Sequence, residues 1–487
     1  MLWVALELPT LPLQICERAG ACSDPLVIFE GPAQRPVVTC ANEAARRAGI
    51  REGQAVAAAK ALAVELRTVP RDIDSERETL ERLAAWAGQF TPMSCVDGQG
   101  VVMEVEACLR LFDGHAKLTG AIKRGVREMG FHATLGIAPT PLAARLFARA
   151  EARGLQVRGC LAVSELRQRL ADLPLFLLEL PGKTLARLTD LGVLRVKEIL
   201  DLPAEGIARR FGPEIVVSLE RLTGRIPDPR LPYVPPPRFR SRLELPAEAE
   251  GVEALLFPLR RLLAEFEGAM RARGAGVQRL SLVLEHGRKS RTRVPLDFSS
   301  PEREADFILA IAREKLGRLT LSAPTLALNL RAEALLAYAP REMTWLPGAK
   351  EQALDRQRLL ERLAARLGSE RVFGIAIADD HRPERDWKKN RGQSGVRAGS
   401  EQGLTPVGVR PTWLLNRPQK LITRDGEPNY QGELILLAGP ERIEAGWWDG
   451  EEVSRDYYRA ANPRGETFWI FREHRGAQAW YMHGVFA

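Results

Sequence analysis

The sequence predicts an α/β and α+β multidomain chain that ends in a small β-rich module, and three observations carry that prediction. Its 487 residues exceed a single domain and fit about three. Strand-like apolar runs alternate with alanine-rich helical stretches through the first third, as in a mixed α/β core. Seven of the nine tryptophans (Trp345, Trp387, Trp413, Trp447, Trp448, Trp469, Trp480) follow residue 340, a compositional break that sets the C-terminal part off as its own module.

Composition narrows the class. With 45% hydrophobic and 27% charged residues the chain is ordinary for a globular protein, which excludes a wholly disordered or fibrous one. Seventy Lys and Arg against 62 Asp and Glu leave a net charge of +8 and a pI of about 9.3, which permits a polyanionic partner without demanding one. The six cysteines (Cys16, Cys22, Cys40, Cys95, Cys108, Cys160) all lie in the first third without the close pairing of a structural zinc site, and read as reduced intracellular thiols. The N-terminal run MLWVALELPTLPLQIC lacks a basic leader and reads as a buried strand rather than an export signal. LPLFLLELPG, the longest apolar run elsewhere, falls short of the roughly 20 residues a membrane span needs. The expected setting is cytoplasmic and soluble, with no membrane contact.

Element by element, residues 1–170 alternate strands (LWVALEL, PLVIFE, PVVTCA, GVVMEVE, ATLGIA) with helices (NEAARRAG, ERETLERLAAWAGQF, HAKLTGAIKRGVREMG, PLAARLFARAEA). Residues 171–232 give short helices broken by LPG, LG and FG, closed by the proline-rich RIPDPRLPYVPPPR, a semi-rigid linker. Residues 233–340 follow a strand, long helix, strand, strand, helix, strand order, with apolar positions at three-to-four spacing on both helices; these cover one face of a small antiparallel sheet. Residues 341–410 hold a further helix and a Gly-, Arg- and Ser-containing stretch of mobile composition. Residues 411–487 return to strand character. Trp447, Trp448, Trp469 and Trp480 are expected to fill that module's core. PTWLLNRP, with the basic stretch before it, is expected to be an exposed docking segment anchored by Trp413, Leu414 and Leu415.

Two features point to nucleic acid. In LPGKTLARLTDLGVLRVKEILDLP a tight Leu180-Pro181-Gly182 turn opens a helix at Gly182, Lys183 and Thr184, where backbone N–H groups, the helix dipole and the lysine can hold a DNA phosphate. The competing reading is an ordinary helical hairpin. The run HGRKSRTR places Arg288, Lys289, Arg291 and Arg293 on a hairpin, while Arg238, Arg240 and Arg242 stand at the start of the same domain. Alternate arginines on a strand share one face and can track a phosphate backbone; a solvated basic hairpin is the bland alternative. The six histidines are scattered, and no compact set of acids suggests a nuclease.

The order of these parts resembles a Y-family translesion DNA polymerase over roughly residues 1–340: an α/β palm with fingers, a helix-hairpin-helix thumb and a βαββαβ little finger. VVTCANEAARRAGIREGQAV looks like the family's fingers segment, with Arg46 at the position of its triphosphate-contacting arginine, and ATLGIAPTPLAARLFAR looks like a palm segment. Two-metal phosphoryl transfer needs converging carboxylates. The resemblance places Ala5 at the first of them and Glu7 at the second of the same strand. It places Asp97 and Gly98 at the later acidic pair, Glu43 at the fingers tyrosine and Pro141 at the palm lysine. Glu7, Asp97 and Glu104 are expected to form at best an irregular cluster, or to be polar residues at strand ends. Catalytic residues, metal and cofactor are therefore expected to be absent.

LLERLAARLG, HRPERDW, VRPTWLLNRP, GPERIEAGWWDG, RDYYRA and WYMHGVFA are similar to the C-terminal region of ImuB-type subunits, the polymerase-like but non-catalytic members of bacterial mutagenic repair complexes. That resemblance implies binding to damaged primer–template DNA, to the sliding clamp, to a RecA-like accessory subunit and to an error-prone C-family polymerase, in the nucleoid-associated cytoplasm. It also implies a clamp-binding peptide at REMTWLPG, with Met343, Trp345 and Leu346 as anchors and Glu342 where glutamine is preferred. A working translesion polymerase with an atypical carboxylate set is the rival reading, and an unrelated helix-hairpin-helix protein the third.

Overall fold

The computed structural model describes residues 1–20, 24–287, 290–321, 323–339, 349–390 and 409–486. It divides into two compact units, Met1–Arg366 and Leu367–Ala487.

The first unit is built on a four-stranded antiparallel sheet, in the stretch expected to be the palm, in the order Ser94–Asp97, Gly100–Glu104, Trp3–Glu7, Thr134–Ala138. Strand alternation sends Trp3 and Ala5 to one face and Val4 and Leu6 to the other. The first face packs on helix Pro141–Ala152 through Ala143, Ala144 and Phe147; the second packs against Leu83, Leu118 and Ile122. Gly136 lets that first helix press onto the sheet, because a Cβ there would lie 1.9 Å from the Ala144 carbonyl oxygen. Thr140 caps the same helix and Pro141 opens it, the position where a missing N–H is tolerated. The stretch expected to be the fingers forms a three-stranded sheet, Val37–Ala41, Leu26–Glu30, Arg67–Pro70, tied together by Asn42, whose Oδ1 accepts from Ala45 N at 2.9 Å and Leu26 N at 3.0 Å.

Residues 163–223 supply five helices whose Leu166, Leu188, Ile199 and Leu222 share one core with the palm helix. The sequence after the proline-rich stretch folds as a sheet in the order Arg291–Glu302, Ala275–His286, Thr325–Ala332, Phe239–Ala249, with helices Glu253–Ala272 and Ala305–Leu316 packed in its core. Helix Glu253–Ala272 also reaches the palm. There Arg18 Nη2 lies 2.5 Å from Glu265 Oε2 with both groups buried, Arg82 approaches the same carboxylate at 3.1 Å, and Arg18 Nε donates to Met129 O at 2.7 Å. Gly268 accommodates the Trp86 indole, which a Cβ would meet at 2.1 Å. Helix Ala349–Leu367 packs back on the small domain, with Arg358 bound to Glu302 at 2.7 Å and Glu304 at 3.0 Å.

The second unit centres on a five-stranded antiparallel sheet, Trp413–Lys420, Trp480–Val485, Thr467–Glu473, Val453–Ala461, Ile435–Ala445. Ile443, Tyr457, Trp469 and Phe471 form one apolar cluster, and Leu421, Phe468, Ile470, Trp480 and Met482 another. Trp469 and Trp480 are therefore core, as expected. Trp447 and Trp448 are not: they sit in the turn between two strands, 69% and 52% exposed, because the flanking Gly446 and Gly450 take positive φ and end the strand pattern there. PTWLLNRP is likewise not a loose segment. Strand pairing with Trp480–Val485 draws Leu414 and Leu415 half into the two clusters and leaves Trp413 70% exposed.

Candidate functional site: palm carboxylates and a basic sheet face

Sheet register brings two acids together. Asp97 and Glu7 both stand opposite Gly100 in neighbouring strands, so they point to the same face with a side-chain-free position between them. Two arginines from helix Pro141–Ala152 fill the space. Arg145 Nη1 reaches Asp97 Oδ1 at 2.6 Å, its Nη2 reaches Glu179 Oε1 at 3.2 Å, and its Nε stands 3.9 Å from Glu7 Oε2. Arg149 donates to Glu7 Oε1 at 3.2 Å and also pairs with Glu179. The second Asp97 oxygen accepts from Arg230 Nη1 at 2.6 Å, and Arg230 is itself held by Asp228 at 2.8 Å. Gly98, at φ +60°, is what lets Arg145 in: a Cβ there would lie 2.1 Å from Arg145 Nη2.

Burial pushes the Glu7 carboxyl above its usual range, an effect that the nearby Arg149 and Arg145 only partly reverse. The set totals four carboxylates against three guanidiniums, and a guanidinium is a permanent cation that fixes carboxylates without offering a Lewis acid. A divalent ion does not fit: it would need the Asp97 oxygens that Arg145 and Arg230 occupy. Among the described residues no group of three or more His, Cys, Asp or Glu side chains is arranged to hold a metal.

Two expectations need correcting here. Ala5 is not at the carboxylate end; it lies mid-strand, opposite Val102 and Gly136, fully buried under the palm helix. Glu7, expected at the second carboxylate position of that strand, is the residue that stands beside Asp97 at the strand end. The irregular trio of acids does not form either, because Glu104 stands opposite Trp3 at the far end of the sheet and accepts from Leu2 N and Glu106 N, while Glu7 and Asp97 alone converge. In the fingers, Glu43 pairs with Arg47 at 3.2 Å on the surface, and Arg46 is half exposed, 3.9 Å from Glu52. Sequence reasoning missed Arg145 and Arg149. Their signal was present as two arginines at i and i+4 on one side of a mostly apolar helix.

The basic candidates fall on two surfaces. At the helix hairpin, Gly182 and Lys183 are exposed and Thr184 is half-buried; Thr184 N and Leu185 N both turn back to Pro181 O, at 2.8 and 3.0 Å, leaving the first two N–H groups of the helix for an outside acceptor. On the small sheet, Arg242, Asn329, Val283 and Arg293 form one row across four strands. Arg238, Arg240, Arg242, Arg291 and Arg293 are all exposed on or beside that outward face. Arg240 is held by Glu333 at 2.9 Å, and Arg242 by Glu285 at 3.0 Å and Glu244 at 2.5 Å. Arg291 and Arg293 make no ion pair among the described residues. Arg331, opposite Arg240, joins this face and was not anticipated. Arg288 and Lys289 lie outside the described residues, as do Glu342, Met343, Trp345 and Leu346 of the clamp-peptide candidate.

Residues 16–149 match the model of the IMS, or impB/mucB/samB, family. The chain is 28% identical over 473 residues to Protein ImuB of Caulobacter vibrioides (strain NA1000 / CB15N), covering 90% of this chain and 100% of that one. It is 27% identical over 207 residues to a DNA polymerase IV of Shewanella sp. (strain MR-7), covering 41% of this chain and 56% of the relative. The first similarity necessarily takes in part of the C-terminal unit. Among solved structures, DinB from Sulfolobus solfataricus aligns with a TM-score of 0.40 and 16% identity, over 70% of this chain and 100% of that one. A Y-family DNA polymerase chimera, Dbh-Dpo4(243-245)-Dbh, also gives a TM-score of 0.40, at 17% identity over 68% and 98%.

Proposed function

We propose, on the premise that the chain is an ImuB-type homologue of the Y-family DNA polymerases, that it serves DNA-damage tolerance and translesion synthesis as a non-catalytic, DNA-binding scaffold. Phosphoryl transfer through two metal ions requires carboxylate oxygens free to coordinate them. The observation that carries the reading is that both oxygens of Asp97 are taken by Arg145 and Arg230. In this reading the hairpin turn at Gly182, Lys183 and Thr184 and the arginine face of the small sheet grip the phosphate backbone of primer–template DNA. The sliding clamp engages Met343, Trp345 and Leu346, and the C-terminal unit recruits a RecA-like accessory subunit and an error-prone C-family polymerase, with Trp413 as one contact. The setting is the nucleoid-associated cytoplasm; no helix among the described residues is long and apolar enough to cross a membrane.

The convergence of Glu7 and Asp97 on one face favours a second reading, a working polymerase in which Arg145 and Arg230 withdraw when nucleotide and metal arrive. Primer extension by the purified protein with magnesium or manganese separates the two. No incorporation is expected; extension that disappears in Asp97→Ala or Glu7→Ala establishes the polymerase instead.

A further inference from the structure

We propose that the Trp447–Trp448 turn is a preformed protein-docking knob that seats in an apolar pocket with a basic rim on a partner protein. The inference rests on the reading of the C-terminal unit as a recruitment module and assigns that role to a specific surface.

The turn is rigid from below. Gly446 takes φ +87°, and a Cβ there would lie 2.3 Å from Glu451 O and 2.7 Å from Arg382 Nη1, so the chain doubles back over a guanidinium at a point where only glycine fits. Arg382 is 2% exposed. Asp380 binds it through Nε at 3.0 Å and Nη2 at 2.7 Å, and Asp449 binds it through Nη1 at 3.1 Å and Nη2 at 2.6 Å. Arg382 Nη1 also donates to Glu451 O at 3.2 Å, and Asp449 Oδ1 accepts from Glu451 N at 3.1 Å. The Arg382 hydrogen bonds hold the Asp449 carboxyl down to about 2, so this clamp stays charged at any ordinary pH. HRPERDW thus supplies the buttress for the turn.

Above the clamp, the two indoles meet edge to face with centroids 4.7 Å apart. In the same unit Trp469 and Trp480 are buried, so the fold has apolar interior for tryptophan and nevertheless leaves these two in solvent. Contiguous exposed apolar surface marks interaction sites, and tryptophan is enriched among residues that dominate binding energy. Fixing the rings before contact removes the ordering cost of association. Charge selects the kind of partner. The turn and the segments that hold it carry Asp379, Asp380, Asp449, Glu451 and Glu452 against Arg382, Arg385 and Arg475, an acidic excess that repels a phosphate backbone and complements a basic protein rim.

The test uses the full-length chain and three probes: purified RecA-like subunit, purified C-family polymerase and an oligothymidine strand. In W447A/W448A, affinity for one of the two proteins is expected to fall roughly 30-fold or more while oligothymidine binding is unchanged, with W447F/W448F recovering most of the loss. In wild-type chain labelled with 5-fluorotryptophan, the Trp447 and Trp448 resonances, assigned by their absence from the spectra of W447F and W448F, are expected to shift when that protein is added. Wild-type binding that survives W447A/W448A, or unshifted resonances on binding, overturns the knob alone. Loss of oligothymidine binding in its place makes the turn a base-stacking platform and also overturns it. Wild-type chain that binds neither protein overturns the recruitment reading and this inference with it.

Discussion

Arg145 places one guanidinium nitrogen 2.6 Å from Asp97 and another 3.9 Å from Glu7, so a single side chain occupies the gap between two carboxylates with one strand between them. A buried and a part-buried acid at that spacing repel unless a cation separates them. Here the cation is covalently part of the chain, carried on the helix that already packs under the sheet, and its charge does not depend on pH or on ion supply.

Removing that cation exposes the arrangement. Arg145→Ala leaves Asp97 with one partner and Glu7 with Arg149 alone, and is expected to destabilise the first unit by about 3 kcal/mol, the range for breaking a buried ion pair from one side. Denaturant melts of the full chain measure it. Gly98→Ala is expected to do comparable damage by pushing the guanidinium out. The double variant then costs much less than the sum, because both changes break the same contact; additive losses show that Gly98 acts through its backbone conformation alone.

On the small sheet, the unpaired arginines and the ion-paired ones are expected to behave differently. Arg291→Ala with Arg293→Ala lowers the slope of log affinity against log salt by about 0.9 per phosphate contact on duplex DNA. Glu285→Gln, which releases Arg242 from a carboxylate, is expected to raise affinity and steepen the slope. Fluorescence anisotropy across a salt series reads both, and an unchanged slope in the double variant removes this face from the DNA interface.

The C-terminal unit is expected to lose stability in mild acid through His483. Burial lowers its pKa to about 4, against about 6.5 in an unfolded chain. Tyr457 Oη accepts from Arg455 at 3.1 Å and lies 2.8 Å from His483 Nδ1, so the ring is held in the interior by a hydrogen bond to the phenol. A group whose folded pKa is depressed in this way binds its proton preferentially in the unfolded state. Its contribution is therefore complete above pH 6.5 and shrinks as pH falls from 6.5 to 4, by up to about 1.4 kcal/mol per pH unit. Thermal unfolding followed by tryptophan fluorescence at pH 7 and pH 5 should show the drop, and His483→Phe should flatten it.

Local patterns carried most of the architecture into the sequence. Strand alternation and helical spacing gave the element order of both α/β halves, since those periods depend on neighbours a few residues away. The site was less legible. Alternation already put Ala5 and Glu7 on one face, but which of them meets Asp97 depends on where the sheet ends, a fact set by strands some 90 residues distant. Arg230 and Asp228 sit in a proline-rich stretch that reads only as linker, and nothing local marks their reach to Asp97. Trp447 and Trp448 were misplaced although glycines flank them at Gly446 and Gly450, a turn signal outweighed by the strand character of their aromatic side chains.

The buried contact of Arg18 and Arg82 with Glu265 joins residues on opposite sides of the proline-rich stretch. Covalent continuity through residues 225–237 is therefore not what keeps the two halves of the first unit together. A chain nicked in that stretch by limited proteolysis is expected to stay assembled and elute as one species. Pieces ending and beginning near residue 232, made in the same cell, are expected to complement each other as a split protein, with Glu265→Ala separating them.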